Sequence, residues 1–133
     1  MKKAYPVVMT PDEMGFVVSV PDFNIDTQGA DIIEAIEMAR DAIGIVGIYM
    51  EDKGEKLPDA SDLETVRLGA EPGDTVTLVD IDFSDYRRKN DLRTVKKNCT
   101  VPAWLCYEAE HAGINFSAVL QKALKAELHI TDR

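Results

Sequence analysis

Few side chains in this chain of 133 residues are of the types that do covalent chemistry. Asp80, Asp82 and Asp85 come nearest. They lie in the stretch LVDIDFSD, and Asp80 and Asp82 project from the same face of a strand. Carboxylates so spaced could hold a divalent metal and hydrolyse a phosphodiester, but that chemistry needs a carboxylate set converging on the metals. The strand KAYPVVMT, at 3–10, has no acid at its centre, and the sequence offers no second cluster. The three aspartates therefore read as solvated or partner-facing charge. His111 and His129 lack a Ser, Cys or Asp at a nucleophile–base spacing. His111 instead sits one turn from a helix end, where a cation is favoured. Cys99 and Cys106 do not form a Cys-x-x-Cys pair and read as reduced thiols. No catalytic residue, metal or cofactor is expected. Binding is the chemistry left to explain.

The candidate binding residues cluster late in the chain. Residues 94–101 alternate as a strand before Pro102. Cys99 and Val101 take the inward phase and Lys96, Asn98 and Thr100 the outward one. A two-stranded ribbon fits the DNA major groove, where Lys reads guanine, Asn reads adenine and Thr contacts polar edges or a thymine methyl. Lys97 falls in the inward phase and is not assigned. Asn115-Phe116-Ser117 opens a helix whose free N–H groups suit a backbone phosphate. Upstream, the run YRRKNDLRTVKKN at 86–98 is basic, with Asp91 as its one acid.

The elements that must position these residues follow from periodicity. Residues 3–10 and 15–20 read as a hairpin, with a short third strand near 24–27. A helix follows, capped by Asp31 with Glu34 three residues on. Ile32, Ile36, Ala39, Ile43, Val46 and Met50 form its apolar stripe. Gly44 and Gly47 interrupt it: either the helix frays there or something packs closely against it. Residues 51–74 form a long connection with a helical turn near 61–66, and 75–83 form a strand. Residues 84–93 are charged, without apolar period, and read as a linker. Then come the strand at 94–101, a helix from Pro102 to about Ala112 ended by Gly113, and a last helix. Asn115 caps that helix, and Val119, Leu120, Ala123, Leu124 and Leu128 form its apolar face. Strand, helix, helix in about 40 residues is too little to enclose a core. Two chains solve this by pairing their strands into a ribbon and their four helices around it. Trp104 then covers the helix pair or packs on the other chain.

Charge divides the chain in the same place. Residues 1–90 hold 19 acidic and 9 basic side chains, and 91–133 hold 5 and 6, so −10 and +1. An acidic body repels nucleic acid and attracts basic partners, and a local basic cluster does the reverse. The apolar runs are far shorter than a bilayer span, and MKKAYPVV has no apolar core of a signal peptide. A cytoplasmic protein without a membrane partner is expected.

At this point the motifs carry a resemblance. KKNCTVPAWL…AGINFSAVLQKALKAEL resembles a ribbon-helix-helix repressor domain. GFVVSVPDF…TQGADIIEAIEMARDAI is similar to the HicB antitoxin family, which shares Gly-Phe-x-Val-x-x-Pro-Asp-Phe, then Thr-x-Gly, then a Glu-Ala-rich helix. Family members often continue from Pro-Asp-Phe with Pro-Gly-Cys or Pro-Gly-Ala; here Asn24-Ile25-Asp26 follows, which changes a turn. The resemblance runs over about 3–130. It implies an α+β chain: a partial RNase H-like toxin-binding domain at 1–84, a linker at 85–93, and a ribbon-helix-helix dimerisation and DNA-binding domain at 94–133. It further implies an antitoxin, not an enzyme. Its partners would be a small basic mRNA-cleaving toxin of the HicA kind, the operator of its own operon, and further copies of itself as a homodimer or higher homo-oligomer. Two alternatives stay open: a ribbon-helix-helix repressor whose N-terminal domain senses a ligand, and a metal-dependent RNase H-like nuclease.

Overall fold

Alternating apolar residues make the N-terminal segment a strand, β1 (Lys2–Asp12), which turns at Glu13-Met14 into β2 (Gly15–Val20). The Asp12 carboxylate fixes the turn by accepting from the Met14 N–H at 2.9 Å. With β3 (Ile25–Gly29) and β4 (Thr75–Asp82) they form an antiparallel sheet of order β3-β2-β1-β4. In its register Tyr5 faces Val79 and Met9 faces Val18. The period of two therefore gathers Tyr5, Val7, Met9, Val18, Val20 and Val79 on one side, all buried.

Helix α1 (Ile32–Asp52) supplies the other half of this core through Ala35, Ala39 and Ile43. Its start is the expected box: Asp31 accepts from Glu34 N–H at 2.8 Å, and Glu34 reaches back to Ala30 N–H at 3.1 Å. A short helix α2 (Leu63–Leu68), capped by Asp62, lies in the long connection. The computed structural model describes residues 1–131. Contacts divide the chain into two units, Met1–Arg93 and a second beginning at Thr94. Among the described residues no helix is long and apolar enough to cross a membrane.

Two expectations need correction. The stretch read as a linker at 85–93 is mostly helix: α3 (Phe83–Asn90) follows β4 directly. Its own sequence has no apolar stripe. It is held by what it meets on α1. Gly44 and Gly47, one turn apart, receive two rings from α3, also one turn apart. A Cβ on Gly47 would lie 2.2 Å from the Phe83 ring, and one on Gly44 would lie 2.6 Å from the Tyr86 ring. Close packing, not fraying, explains the glycines. Asp82 caps α3 by accepting from Ser84 and Asp85 N–H groups.

The second correction concerns residues 94–101, expected as a strand. No strand is assigned anywhere in 91–102 of the single chain. A lone strand has no neighbour to satisfy its N–H and C=O groups, so an isolated chain leaves the segment irregular. Beyond it come α4 (Ala103–His111) and α5 (Phe116–Glu127). The former ends as expected: Gly113, at φ 69°, donates to Glu110 C=O, and Ile114 donates to Ala109 C=O.

Candidate functional site

The three aspartates do separate structural work. Asp80, 84% exposed, pairs with Arg40 at 3.0 Å. Asp82 caps α3 and meets the N-terminal ammonium at 3.6 Å. Asp85 pairs with Lys89 and Arg88. The backbone hydrogen bond from Asp85 is the main cause holding the Asp82 carboxyl below its ordinary pKa. Among the described residues no group of three His, Cys, Asp or Glu converges as a metal site. Both thiols are free. The Cys106 thiol donates to Glu110 Oε1 at 3.1 Å, which pushes its pKa up. His111 lies on the Tyr107 ring and bonds the Tyr107 carbonyl, a local helix-end contact.

The basic run 86–98 changes character in the structure. Arg87 spans to the C-terminal end of α1, bonding Asp52 at 2.9 Å, Glu51 at 3.4 Å and the Ile48 carbonyl. Arg93 binds Asp91 at 2.8 Å and Asp52 at 3.5 Å. The Arg93 side chain is the chief reason Asp91 stays ionised far below the usual carboxylate range. Arg88 and Lys89 hold Asp85. Most of the run's charge is thus spent inside unit 1: Arg87 ties α3 to α1, Arg88 and Lys89 pair within α3, and Arg93 joins Asp91 to Asp52. Lys96 and Lys97 alone from this run take part in none of the described ion pairs.

Lys96, Asn98 and Thr100 all lie exposed in the irregular segment that opens unit 2. Asn115 accepts from Ala118 N–H at 3.0 Å and so caps α5, leaving Phe116 and Ser117 with the free N–H groups of the first turn. These two sets belong to the same unit, separated in sequence by α4. That unit has no buried residue on either helix. Trp104 is 65% and Leu124 51% exposed, and Leu105, Val119, Leu120 and Leu128 are exposed as well. Exposed apolar side chains grouped in this way are characteristic of interaction surfaces.

The Pro-Asp-Phe motif proves to be architectural. It forms a single 3-10 turn, Pro21–Phe23, and Asn24 follows in the left-handed region at φ 52°, a conformation Asn tolerates better than most residues. Phe23 packs edge-on against Tyr5 with ring centroids 4.8 Å apart, and the Tyr5 hydroxyl donates to the Pro58 carbonyl at 2.9 Å. Asp22 accepts from the Ser61 N–H and hydroxyl. The motif therefore ties the long 51–74 connection to the sheet. The departure at Asn24-Ile25-Asp26 is accommodated without a break: β3 begins at Ile25. Sequence reasoning missed these ties. The motif was visible, but nothing in it names Pro58 or Ser61.

Comparisons with known proteins agree with this architecture. The family described as HicB-like antitoxin of bacterial toxin-antitoxin system matches residues 5–123. Among solved structures, one chain from a toxin-antitoxin complex of Streptococcus pneumoniae is 24% identical, covering 96% of this chain and 99% of that one, with a TM-score of 0.59. The antitoxin HicB of Burkholderia pseudomallei is 23% identical over 97% of this chain and 98% of that one, with a TM-score of 0.54. The antitoxin HicB3 is 20% identical, 96% of each chain being covered, with a TM-score of 0.54. No functionally curated protein matches the chain.

Proposed function

The chain belongs to the HicB-like antitoxin family of bacterial toxin-antitoxin systems, whose members are antitoxins and not enzymes. From that premise we propose that it neutralises a HicA-like mRNA-cleaving toxin by covering it with unit 1, and represses its own operon through unit 2. In the second role two copies pair residues 94–101 into a ribbon. Lys96, Asn98 and Thr100 then enter the major groove, while Asn115, Phe116 and Ser117 sit at the backbone phosphates. Such a protein acts in the cytoplasm, where both mRNA and operon are found.

One observation carries the division of labour: the two units differ in both charge and completeness. Unit 1 encloses its core and has 20 acidic against 10 basic residues, a net −10 suited to a basic protein that itself binds RNA. Unit 2 is near neutral, has no buried residue on either helix, and carries Lys96 and Lys97, which take part in none of the described ion pairs, beside a strand sequence with no described strand partner. A second copy would supply both the missing strand and the missing half of the core.

Co-expression tests the first role. A HicA-like toxin of the kind this reading requires should arrest growth alone, and this chain should restore it. Arrest that persists at equal expression would refute the toxin-neutralising role.

A further inference from the structure

Helix α1 is apolar on two sides. Its inner side joins the core. A second series, Met38, Ala42, Ile45 and Tyr49, recurs at spacings of 4, 3 and 4 and so forms another ridge on one side of the helix. This ridge is open: Ile45 is 54% and Tyr49 59% exposed. Ile45, Ile48, Tyr49 and Leu92 line a groove of about 640 Å³, with Asp52 and Arg93 among the residues at its polar side.

The charge beside the ridge that is left outside the described ion pairs has one sign. Glu34, Glu37 and Asp41 follow at i, i+3 and i+7, all exposed, and none takes part in a described ion pair. The nearby cations are engaged already. Arg87 and Arg93 hold Asp52 and Asp91, and Lys53 lies over the Tyr49 ring and pairs with Glu55.

We propose that this ridge is the face by which unit 1 grips its partner, and that the partner is a basic protein presenting an apolar prominence to the groove. The inference rests on the reading of unit 1 as the toxin-binding half and deepens it by naming the face. Charge complementarity selects the occupant. A second copy of the unit would set one row of carboxylates near another across a patch that loses its water, with a net −10 on each side. A basic partner finds there both an apolar anchor and uncompensated charge.

The test measures binding of the full-length chain to the proposed HicA-like toxin, by calorimetry at low and high salt. Ile45→Ser combined with Tyr49→Ala should weaken binding about tenfold to hundredfold. The melting temperature and the mass of the free protein should not change. Glu37→Gln, which removes no packing, should weaken binding at low salt and flatten its salt dependence. Leu78→Ser, at an exposed position on β4, should stay within about twofold of the parent. Unchanged affinity in the double variant, while the parent binds, overturns this face and leaves the toxin-binding reading standing. A fall in the mass of the free double variant with affinity kept makes the ridge a contact between copies and also overturns it. Failure of the parent to bind defeats the underlying reading and this inference together.

Discussion

Gly47→Ala distinguishes a packed α3 from a loose linker by the sign of its effect. In an exposed helix interior, replacing Gly by Ala stabilises by about 1 kcal/mol, because Ala loses less backbone entropy. At Gly47 the added methyl would stand 2.2 Å from one Phe83 ring carbon, 2.9 Å from a second and 3.1 Å from a third. Ordinary carbon contacts are about 3.5–4.0 Å, so the ring would have to retreat by more than about 1 Å. Phe83 is 1% exposed and sits in the main core, so it has nowhere to go. Overpacking of this kind costs about 1–3 kcal/mol, and the severity of the overlap points to the upper end. The expected net result is a loss of about 2 kcal/mol after the helix gain is subtracted. In a unit of this size that lowers the melting temperature by about 8–16 °C. Far-UV circular dichroism reads it. The one tryptophan, Trp104, lies in unit 2, so its fluorescence supplies an independent signal that should not follow the shift. Gly44→Ala should cost less, because the half-buried Tyr86 can swing outward at the loss of its 2.7 Å bond to Asp41. A higher melting temperature for Gly47→Ala would refute the packing of α3 on α1.

Other outcomes follow from the same contacts. Asp82 and Asp91 have folded pKa values below their unfolded ones, so their contribution to stability is present above about pH 4 and fades as the pH falls; Asp91→Asn should flatten the acid limb of unfolding, and an unchanged limb would remove the Arg93 clamp. Tyr86 is shifted upward by burial and by its bond to Asp41, so its stabilisation should be lost as the pH rises past about 10. Tyr86→Phe should remove that alkaline sensitivity in a pH titration followed by circular dichroism. Lys96→Ala and Asn98→Ala should each weaken binding to promoter DNA by about 1–3 kcal/mol in a gel-shift titration, and retained affinity in both would exclude this segment from base contact. A chain ending at Arg93 should stay folded and still bind the toxin but not DNA. If it cannot hold the toxin, the division between the units is wrong.

The parts of this fold that announce themselves locally were legible. The hairpin showed in the alternation of residues 3–10 and 15–20, and α1 in its capping Asp31 and inner stripe. Helix α3 was not, because YRRKN has no apolar period. What makes it a helix is the pair of rings at Phe83 and Tyr86 set on Gly44 and Gly47, about 40 residues away, and the ion pairs of Arg87 with Glu51 and Asp52. The glycines did signal a close approach, but sequence could not say by what. The same long-range pairing explains the misjudged basic run, since the acids that neutralise Arg87 and Arg93 lie largely on α1. The outer ridge of α1 had the right spacing to be seen, and the stronger inner stripe obscured it. The strand at 94–101 reads clearly as alternation, yet alternation is only half of a pair. Its backbone groups find no partner in one chain.

The most direct measurement is cleavage of a labelled mRNA by the proposed HicA-like toxin while this full-length chain is titrated in. Occlusion by the acidic unit predicts that cleavage falls in proportion to added protein and stops near molar equivalence of binding units. Full cleavage in the presence of excess folded protein would contradict the account at its centre.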